Sequence, residues 1–259
     1  MSIVKEDSDL LSVFLAHPET FCDEYIIDEL VSLYFASVAT SALLSATLLV
    51  HFIKEPTSLE RVRAELQAEI ESEIAENPDF AAKTLREQLD GVIDLKRVHS
   101  LNYLSMCFQE ALRYQGPAYT SSNIYLTQDA KAGPIDIQEG DEIIINYYGL
   151  HYSSAEWQRP YEFLPERWDP QSPLYLTPSG KKRHAFSWTP FNGGRRSCIG
   201  QTFAEKNIKT VLVYLVAYFD FAFARPAQLE EPYPLSHLGQ NKKVPIQVQI
   251  TAKEQSAKE

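Results

Sequence analysis

An uncharged stretch near the start of the chain sets the strongest limit on its fold. Between Leu30 and Ile53 the sequence contains no Asp, Glu, Lys or Arg, and the surrounding pattern predicts one helix from Asp23 to about Lys54. A helix of this length can cross a bilayer. However, serines and threonines dilute the apolar residues, and neither an aromatic belt nor a basic flank fixes an orientation. We therefore expect this helix to lie buried in a protein core.

The remaining pattern predicts a single unit in which helices outnumber strands. Helical periodicity recurs over residues 9–15, 59–75, 100–114 and 201–219. Short apolar runs bounded by turn residues predict strands at 122–126, 135–137 and 142–146, and a terminal hairpin over 232–251. The stretch 157–178 is a loop rich in proline and aromatic residues. The sequence thus predicts a mainly α fold with a small β portion.

Cysteine usage and charge exclude several classes of protein. Three widely separated cysteines, an odd number, predict free thiols and a reducing compartment: Cys22, Cys107 and Cys198. Residues 1–15 contain neither the apolar core nor the cleavage site of a signal peptide, so we expect a location on the cytoplasmic side. The net charge of -11 argues against nucleic acid as a partner, because phosphate binding needs a basic face.

Positive charge is nevertheless concentrated in one segment. Between Lys181 and Lys209 the chain carries seven Lys or Arg residues, with Glu205 as the only acid. One interpretation of this basic face is a solvated surface with accidental clustering. The other is a docking surface for an acidic electron donor, which complementary potential would steer towards the chain.

One cysteine stands in a run with a distinct chemical pattern. From Pro190 to Gly200 the sequence is Pro-Phe-Asn-Gly-Gly-Arg-Arg-Ser-Cys-Ile-Gly. Glycines on both sides let backbone amides approach the Cys198 sulfur, and the helical pattern that begins at Gln201 places a positive helix end beside it. Both features favour a thiolate that binds metal. A buried structural cysteine is the alternative interpretation.

The spacing Phe-x-x-Gly-x-Arg-x-Cys-x-Gly resembles the haem-binding loop of the cytochrome P-450 superfamily, the haem-thiolate monooxygenases. Two further motifs of the family occur in the right order, Glu-x-x-Arg at Glu110 and Arg113 and Pro-Glu-Arg-aromatic at residues 165–168. Glu-x-x-Arg alone is a weak signal, but three motifs in order are a strong one. The resemblance implies the carboxy-terminal half of the family fold, with its I helix, K helix, meander, cysteine loop, L helix and terminal β hairpin.

The resemblance assigns a role to each key residue of the cysteine loop. Cys198 would bind the iron of haem b as the proximal thiolate ligand, whose electron donation favours O–O bond cleavage. Gly194 and Gly200 would let the backbone approach the haem and the sulfur. Arg196 would pair with a haem propionate, and Phe191 would cover the thiolate side of the ring.

The same resemblance implies a structural role for the other two motifs. Glu110 and Arg113 lie three residues apart and share one helix face. Together with Arg167 they would form a buried ion triad that locks the meander against the core beneath the haem.

The long helix from Asp23 corresponds in the resemblance to the I helix, on the distal side of the haem. Its expected pattern, Ala/Gly-Gly-x-acid-Thr, is here Ala-Ser-Val-Ala-Thr, ending at Thr40. Ser37 and Ala39 replace the usual glycine and acid, so proton delivery would rely on Thr40 and ordered water. Alternatively, the Thr40 hydroxyl bonds back to a carbonyl of its own helix.

The resemblance implies an enzyme that inserts one oxygen atom from O2 into a small apolar substrate, a class that includes lipid-like molecules. Electrons would come from an NADPH-dependent reductase or another acidic donor at the basic face. The domain would span residues 1–252, with a disordered tail at 253–259 and endoplasmic reticulum association if an amino-terminal anchor is missing from this chain. Two alternatives stay open, an inactive truncated haem-binding remnant and a family relative that rearranges peroxides.

Overall fold

The computed structural model describes residues 9–93, 98, 100–225 and 246–253. Within these residues the chain is mainly helical, as the sequence predicts. The helices are α1 Leu10–Leu15, α2 Asp23–Lys54, α3 Pro56–Glu76, α4 Leu85–Val92, α5 Asn102–Gln115, α6 Tyr147–His151 and α7 Gln201–Tyr218. The strands are β1 Ile124–Tyr125, β2 Ala130–Ala132, β3 Ile135–Ile137, β4 Glu142–Ile143, β5 Phe219–Phe223 and β6 Val248–Ala252.

The strands form three small antiparallel ladders rather than one sheet. β1 pairs with β4, β2 with β3, and β5 with β6. In the last ladder Phe219 lies opposite Ala252 and Phe223 opposite Val248. The sequence did not predict β2, α4 or β5, and most of the predicted hairpin over 232–251 lies outside the described residues. Its described part, β6, pairs with a strand that directly follows α7.

The main hydrophobic core lies where helices α2, α3, α4, α5 and α7 meet. Apolar residues four apart on one helix face point the same way, which brings such rows into contact when helices pack. α2 contributes Leu44, Leu48 and Phe52, which are buried, and α5 contributes a similar row. The residues from α5 and α7 are Leu104, Phe108, Leu112, Leu212, Val213 and Val216.

The long helix α2 has the bounds that the sequence predicts, but its burial changes along its length. Its second half, from Ser41 onwards, holds most of the buried residues of the helix. The first half exposes large apolar side chains instead, so the prediction of burial throughout is wrong there. The exposed residues are Ile27, Val31, Tyr34, Phe35 and Val38. By length and composition alone, α2 is also able to cross a membrane.

A carboxylate from α3 caps the start of α5. The residue before α5, Leu101, offers no side-chain cap, so the first backbone N–H groups of the helix need other acceptors. The Glu65 side chain supplies them, accepting from the N–H of Tyr103 at 2.8 Å and from that of Leu104 at 3.1 Å. A negative group at this position also interacts favourably with the helix dipole. Glu65 therefore fixes α5 against α3.

Arg63 performs the corresponding task at the end of α7. Its guanidinium donates to the carbonyl of Val216 at 3.0 Å and to that of Phe219 at 2.7 Å. Carbonyls at a helix end have no partner within the helix, so these bonds satisfy groups that would otherwise need water. Asp220 completes the site by accepting from the same guanidinium at 2.7 Å.

Replacing Glu65 by alanine should lower the free energy of unfolding by about 1–2 kcal/mol, the usual cost of a lost helix cap. The cap is lost because two amides at the start of α5 lose their acceptor. Urea unfolding followed by circular dichroism measures the change as a lower midpoint with an unchanged slope. Glu60→Ala, an exposed change on the same helix, is the matched control, and an equal shift in both variants would contradict the capping role.

Candidate functional site

The buried carboxylate of Glu110 is the centre of a polar network that joins α5 to the segment Pro165–Trp168. Arg113 donates to it twice, at 3.0 and 2.8 Å, because the two residues lie one helical turn apart on α5. Arg167, from the segment Pro165–Trp168, donates to the same carboxylate at 3.1 Å. All three side chains are fully buried. The structure thus brings together the three residues of the proposed triad.

Two further donors, from the meander at residues 157–178, complete the hydrogen bonding of the Glu110 carboxylate. The backbone N–H of Leu164 donates at 2.9 Å and the indole N–H of Trp168 at 3.1 Å. A buried carboxylate is costly unless its oxygens are bonded, and here each oxygen accepts more than one bond. Glu110 therefore fixes the course of the meander as well as the two arginines.

The two guanidiniums use their remaining N–H groups on backbone carbonyls. Arg113 donates to the carbonyls of His151 at 2.9 Å, Pro160 at 2.8 Å and Glu162 at 3.0 Å. Arg167 in turn donates to carbonyls at residues 158 and 159. The rigid fork of the guanidinium suits such multiple contacts, which lysine could not reproduce. The network therefore holds the chain from α6 to the meander in a single arrangement.

Part of the predicted basic face is buried or used internally. Lys209 is only 1% exposed, and its ammonium donates to Glu205 at 2.7 Å and to Ser105 at 2.8 Å. Arg183 lies 4.5 Å from the centre of the Trp157 ring and donates to the carbonyl of Arg167 at 2.8 Å. Counting charges does not reveal such burial. The basic residues on the open surface are Lys181, Lys182, Arg195 and Arg196.

The cysteine loop is a tight turn closed by backbone hydrogen bonds. The N–H of Cys198 donates to the carbonyl of Phe191 at 2.9 Å, and the N–H of Asn192 donates to that of Thr189 at 3.1 Å. Asn192 and Gly194 have φ angles of 63° and 68°, in the left-handed region that asparagine tolerates and glycine enters freely. Gly194 is therefore required by the path of the backbone itself.

The Cys198 side chain lies on an exposed apolar surface at the start of α7, so the alternative of a buried structural cysteine does not hold. Nothing lies within 4 Å of a Cβ placed on Gly194, and one on Gly200 would touch only the Cys198 sulfur, at 3.8 Å. Ile199 is 91% exposed and Phe203 60% exposed. An accessible thiol beside open glycines and bare apolar side chains fits a flat apolar macrocycle whose metal takes one thiolate ligand.

The remaining predicted loop residues, Arg196 and Phe191, differ in their exposure. Arg196 is exposed in the short helix Gly194–Arg196, where its cation is free to meet an acidic group of a bound molecule. The Phe191 side chain is half-buried and packs against the main core. Phe191 thus joins the loop to the helices below it.

Thr40 lies on α2, apart from the cysteine loop in sequence. Its hydroxyl donates to the carbonyl of Ala36 at 2.6 Å, and the hydroxyl of Ser37 donates to that of Tyr34 at 3.0 Å. Both bonds stay within the helix, as is common for Ser and Thr in long helices. The Thr40 hydroxyl thus bonds back to a carbonyl of its own helix, which is the alternative interpretation of this residue. The hydroxyl oxygen of Thr40 can still accept a hydrogen bond.

The sequence predicts no role for His151. The imidazole is buried, and its Nε2 accepts from the backbone N–H of Thr189 at 3.1 Å. Its partner is 38 residues away in the chain. No local signal in the sequence reveals such a contact.

The sequence profile of the family described as Cytochrome P450 matches residues 2–250 of the chain. The chain therefore belongs to the cytochrome P-450 family, whose members are haem-thiolate monooxygenases. The loop, the Glu110 network and the mainly helical fold accord with this membership.

Three relatives illustrate the similarity. A steroid 17-alpha-hydroxylase/17,20 lyase of Felis catus is 30% identical over 154 residues, covering 57% of this chain and 29% of that protein. Cytochrome P450 monooxygenase polC of Polytolypa hystricis is 32% identical over 174 residues, covering 64% and 28%. Cytochrome P450 4A12 of Rattus norvegicus is 30% identical over 132 residues, covering 51% and 24%. The matched segments span less than a third of the length of these relatives.

The substitution Glu110→Gln should destabilise the protein by about 3–5 kcal/mol, because it leaves two buried guanidiniums without a counter-charge. Thermal and urea unfolding would measure this loss. Glu162→Gln is the matched control, since it removes an exposed carboxylate that pairs with Arg159 on the surface. Exposed pairs contribute little to stability, so the control should unfold like the wild type. Similar unfolding curves for the two variants would contradict the central role of Glu110.

Two histidines buried beside this network stay neutral in the folded state. Burial, and then the charge of Lys54, lower the pKa of His51 to about 3. The His51 ring stacks on Phe163 with 4.0 Å between ring centres. Burial, and then the charge of Arg113, lower the pKa of His151 to about 4. An unfolded histidine titrates near pH 6.5, so the unfolded state binds more protons at mildly acidic pH.

The free energy of unfolding should therefore fall as the pH drops below about 6.5, and this loss should continue until the folded-state pKa values are reached. Each histidine contributes up to about 1.4 kcal/mol per pH unit within its window. His51→Phe keeps an aromatic ring on Phe163 and removes one titrating group, so its stability should decline less steeply between pH 6.5 and 3. Urea unfolding at a series of pH values tests this. Parallel stability curves for the variant and the wild type would refute the assignment.

Proposed function

We propose that the chain binds haem b through the Cys198 thiolate and takes part in inserting one oxygen atom from O2 into a small apolar substrate. The observation that carries the proposal is the exposed cysteine in its glycine-bounded turn at the start of α7. Haem held by a thiolate supplies the activation of O2. Membership of the cytochrome P-450 family supports the same chemistry.

The residues of the loop divide the work of holding the haem. Cys198 gives the metal its ligand, and the amino-terminal end of α7 stabilises the sulfur anion with its positive dipole. Arg196 pairs with a propionate, while Gly194 and Gly200 leave the approach to the sulfur open. Phe191 positions the loop through its packing on the core and excludes water from the thiolate side.

Thr40 would take part in proton delivery through the oxygen of its hydroxyl. The hydrogen of this hydroxyl points to the carbonyl of Ala36, so the oxygen keeps its acceptor capacity and would accept a hydrogen bond from a water. Ser37 and Ala39 supply no carboxylate, and protons must therefore arrive through water. This arrangement makes proton delivery slower than a positioned acid would allow.

We infer the substrate class from the relatives and the electron donor from the charge of the surface. The relatives include proteins named as steroid hydroxylases, which supports an apolar substrate class. The exposed cations Arg195 and Arg196 within the cysteine loop, together with Lys181 and Lys182 before it in the chain, would attract an acidic NADPH-dependent reductase. We place the protein on the cytoplasmic side, at the endoplasmic reticulum membrane if the chain belongs to a longer protein with an anchor.

The protein supplied with haem, reduced and exposed to carbon monoxide, should show the red-shifted Soret band of thiolate ligation. Cys198→Ser should abolish this band, because the hydroxyl cannot replace the thiolate as a ligand. Cys22→Ser, at another exposed cysteine, and Cys107→Ser, at a buried one, are the controls and should keep it. Equal absorption spectra for the three variants would refute the ligand assignment.

A second candidate function is the rearrangement of peroxides, favoured by the Ser37 and Ala39 replacements in α2. A monooxygenase consumes NADPH through an added reductase, whereas a peroxide-rearranging enzyme converts a lipid hydroperoxide without it. Measuring NADPH consumption with added reductase, and hydroperoxide conversion without it, distinguishes the two functions. A chain with the thiolate band but neither activity would be a haem-binding remnant.

A further inference from the structure

His151 connects the Glu110 network to the cysteine loop through two different groups of the same residue. Its backbone carbonyl accepts from Arg113 at 2.9 Å. Its ring Nε2 accepts from the N–H of Thr189 at 3.1 Å. The residue is the last of α6, and its side chain is buried. His151 is thus a direct bridge between the arginine and the segment that leads into the loop.

From Thr189 the bonds continue to the cysteine. The carbonyl of Thr189 accepts from the N–H of Asn192 at 3.1 Å, and the carbonyl of Phe191 accepts from the N–H of Cys198 at 2.9 Å. Each bond fixes the position of the next backbone group. The first fixed point of this series is the His151 ring.

The chemistry of the ring suits this task. A backbone N–H can only donate, so Nε2 must be the unprotonated nitrogen and the ring must be neutral. The Arg113 charge and burial both disfavour the charged imidazole, and the Tyr147 ring stacks 6.3 Å from it. Asn also carries an acceptor, but its side chain is shorter than the distance from the backbone to Nε2. The Gln oxygen reaches about as far as Nε2.

Thr189 has little alternative to this bond. Its hydroxyl oxygen is buried and, within the described part of the chain, has no hydrogen-bond partner, as is also true of the indole N–H of Trp188. The bond itself is partly buried, so an N–H that loses its acceptor here is left unsatisfied at a cost in free energy. The segment must then move until water reaches it.

We infer that His151 is a positioning residue for Cys198, holding the cysteine loop in register with the Glu110 network through its bond to Thr189. The inference rests on the proposed haem-thiolate function. It assigns His151 no contact with the haem or the substrate. The residue acts through the backbone of residues 189–198.

The test compares His151→Asn and His151→Gln, which carry the same amide at different reach, with His151→Leu as the apolar variant. Amide hydrogen exchange of the full chain without haem is measured at Thr189, Asn192 and Cys198. The Asn and Leu variants should exchange roughly fivefold faster or more at Thr189, the factor expected for one lost buried hydrogen bond. The Gln variant should match the wild type, and the α5 amides should be unchanged in all variants.

The same variants are then loaded with haem and examined under carbon monoxide after reduction. At equal haem content, the Asn variant should show a smaller share of the thiolate-type Soret band, and the Gln variant should restore it. If His151→Leu does not fold, the comparison of His151→Asn with His151→Gln still tests whether the bond to Thr189 positions Cys198.

Three results would overturn the inference. Equal exchange at Thr189 in the Asn and Gln variants would exclude the bond as the cause. Faster exchange spread evenly over α5 and α7 would mean a general structural role. Faster exchange at Thr189 with a wild-type share of the thiolate band would mean that the bond does not position Cys198. A wild-type chain without the thiolate band would instead refute the proposed haem function, while the exchange rates would still test the bond.

Discussion

The buried carboxylate of Glu110 is the interaction on which the arrangement of this protein depends. Two guanidiniums, a backbone amide and an indole N–H converge on its two oxygens; Arg113 comes from α5 itself, and the other three donors come from residues 164–168. In an interior of low polarity such bonds are strong when complete and costly when one member is missing. The meander contains little regular secondary structure, and these bonds replace the ladder or helix that would otherwise fix it.

This network also explains how a loop on the surface acquires a fixed shape. The cysteine loop has only one turn of 3-10 helix, Gly194–Arg196, and most of its residues are exposed. Its position is set from below, where Phe191 packs on the core and Thr189 bonds to His151. Rigid support under an accessible reactive group is the general requirement for a preorganised site. Helices α5 and α7 supply the rigid part.

The sequence predicts well the features that depend on neighbouring residues. The bounds of α2 and the cysteine loop follow from local pattern and motif, because periodicity, caps and turn residues act over a few positions. The triad could be named only by resemblance, since nothing in the sequence alone reports that Arg167 meets Glu110. The exposure of half of α2 and the burial of Lys209 depend on contacts distant in the chain, which composition does not encode. The role of His151 could not be predicted for the same reason, because its partner Thr189 is distant in the chain.

The uneven burial of α2 has a consequence for its behaviour in water. Helices of moderate length gain most of their stability from packing, and the turns before Ser41 have few buried neighbours. The hydroxyls of Ser37 and Thr40 bond back to carbonyls of the same helix, which adds no packing to these turns. The first half of the helix should therefore fray while the second half stays closed, so a protease would cut α2 near its beginning long before it reached the core.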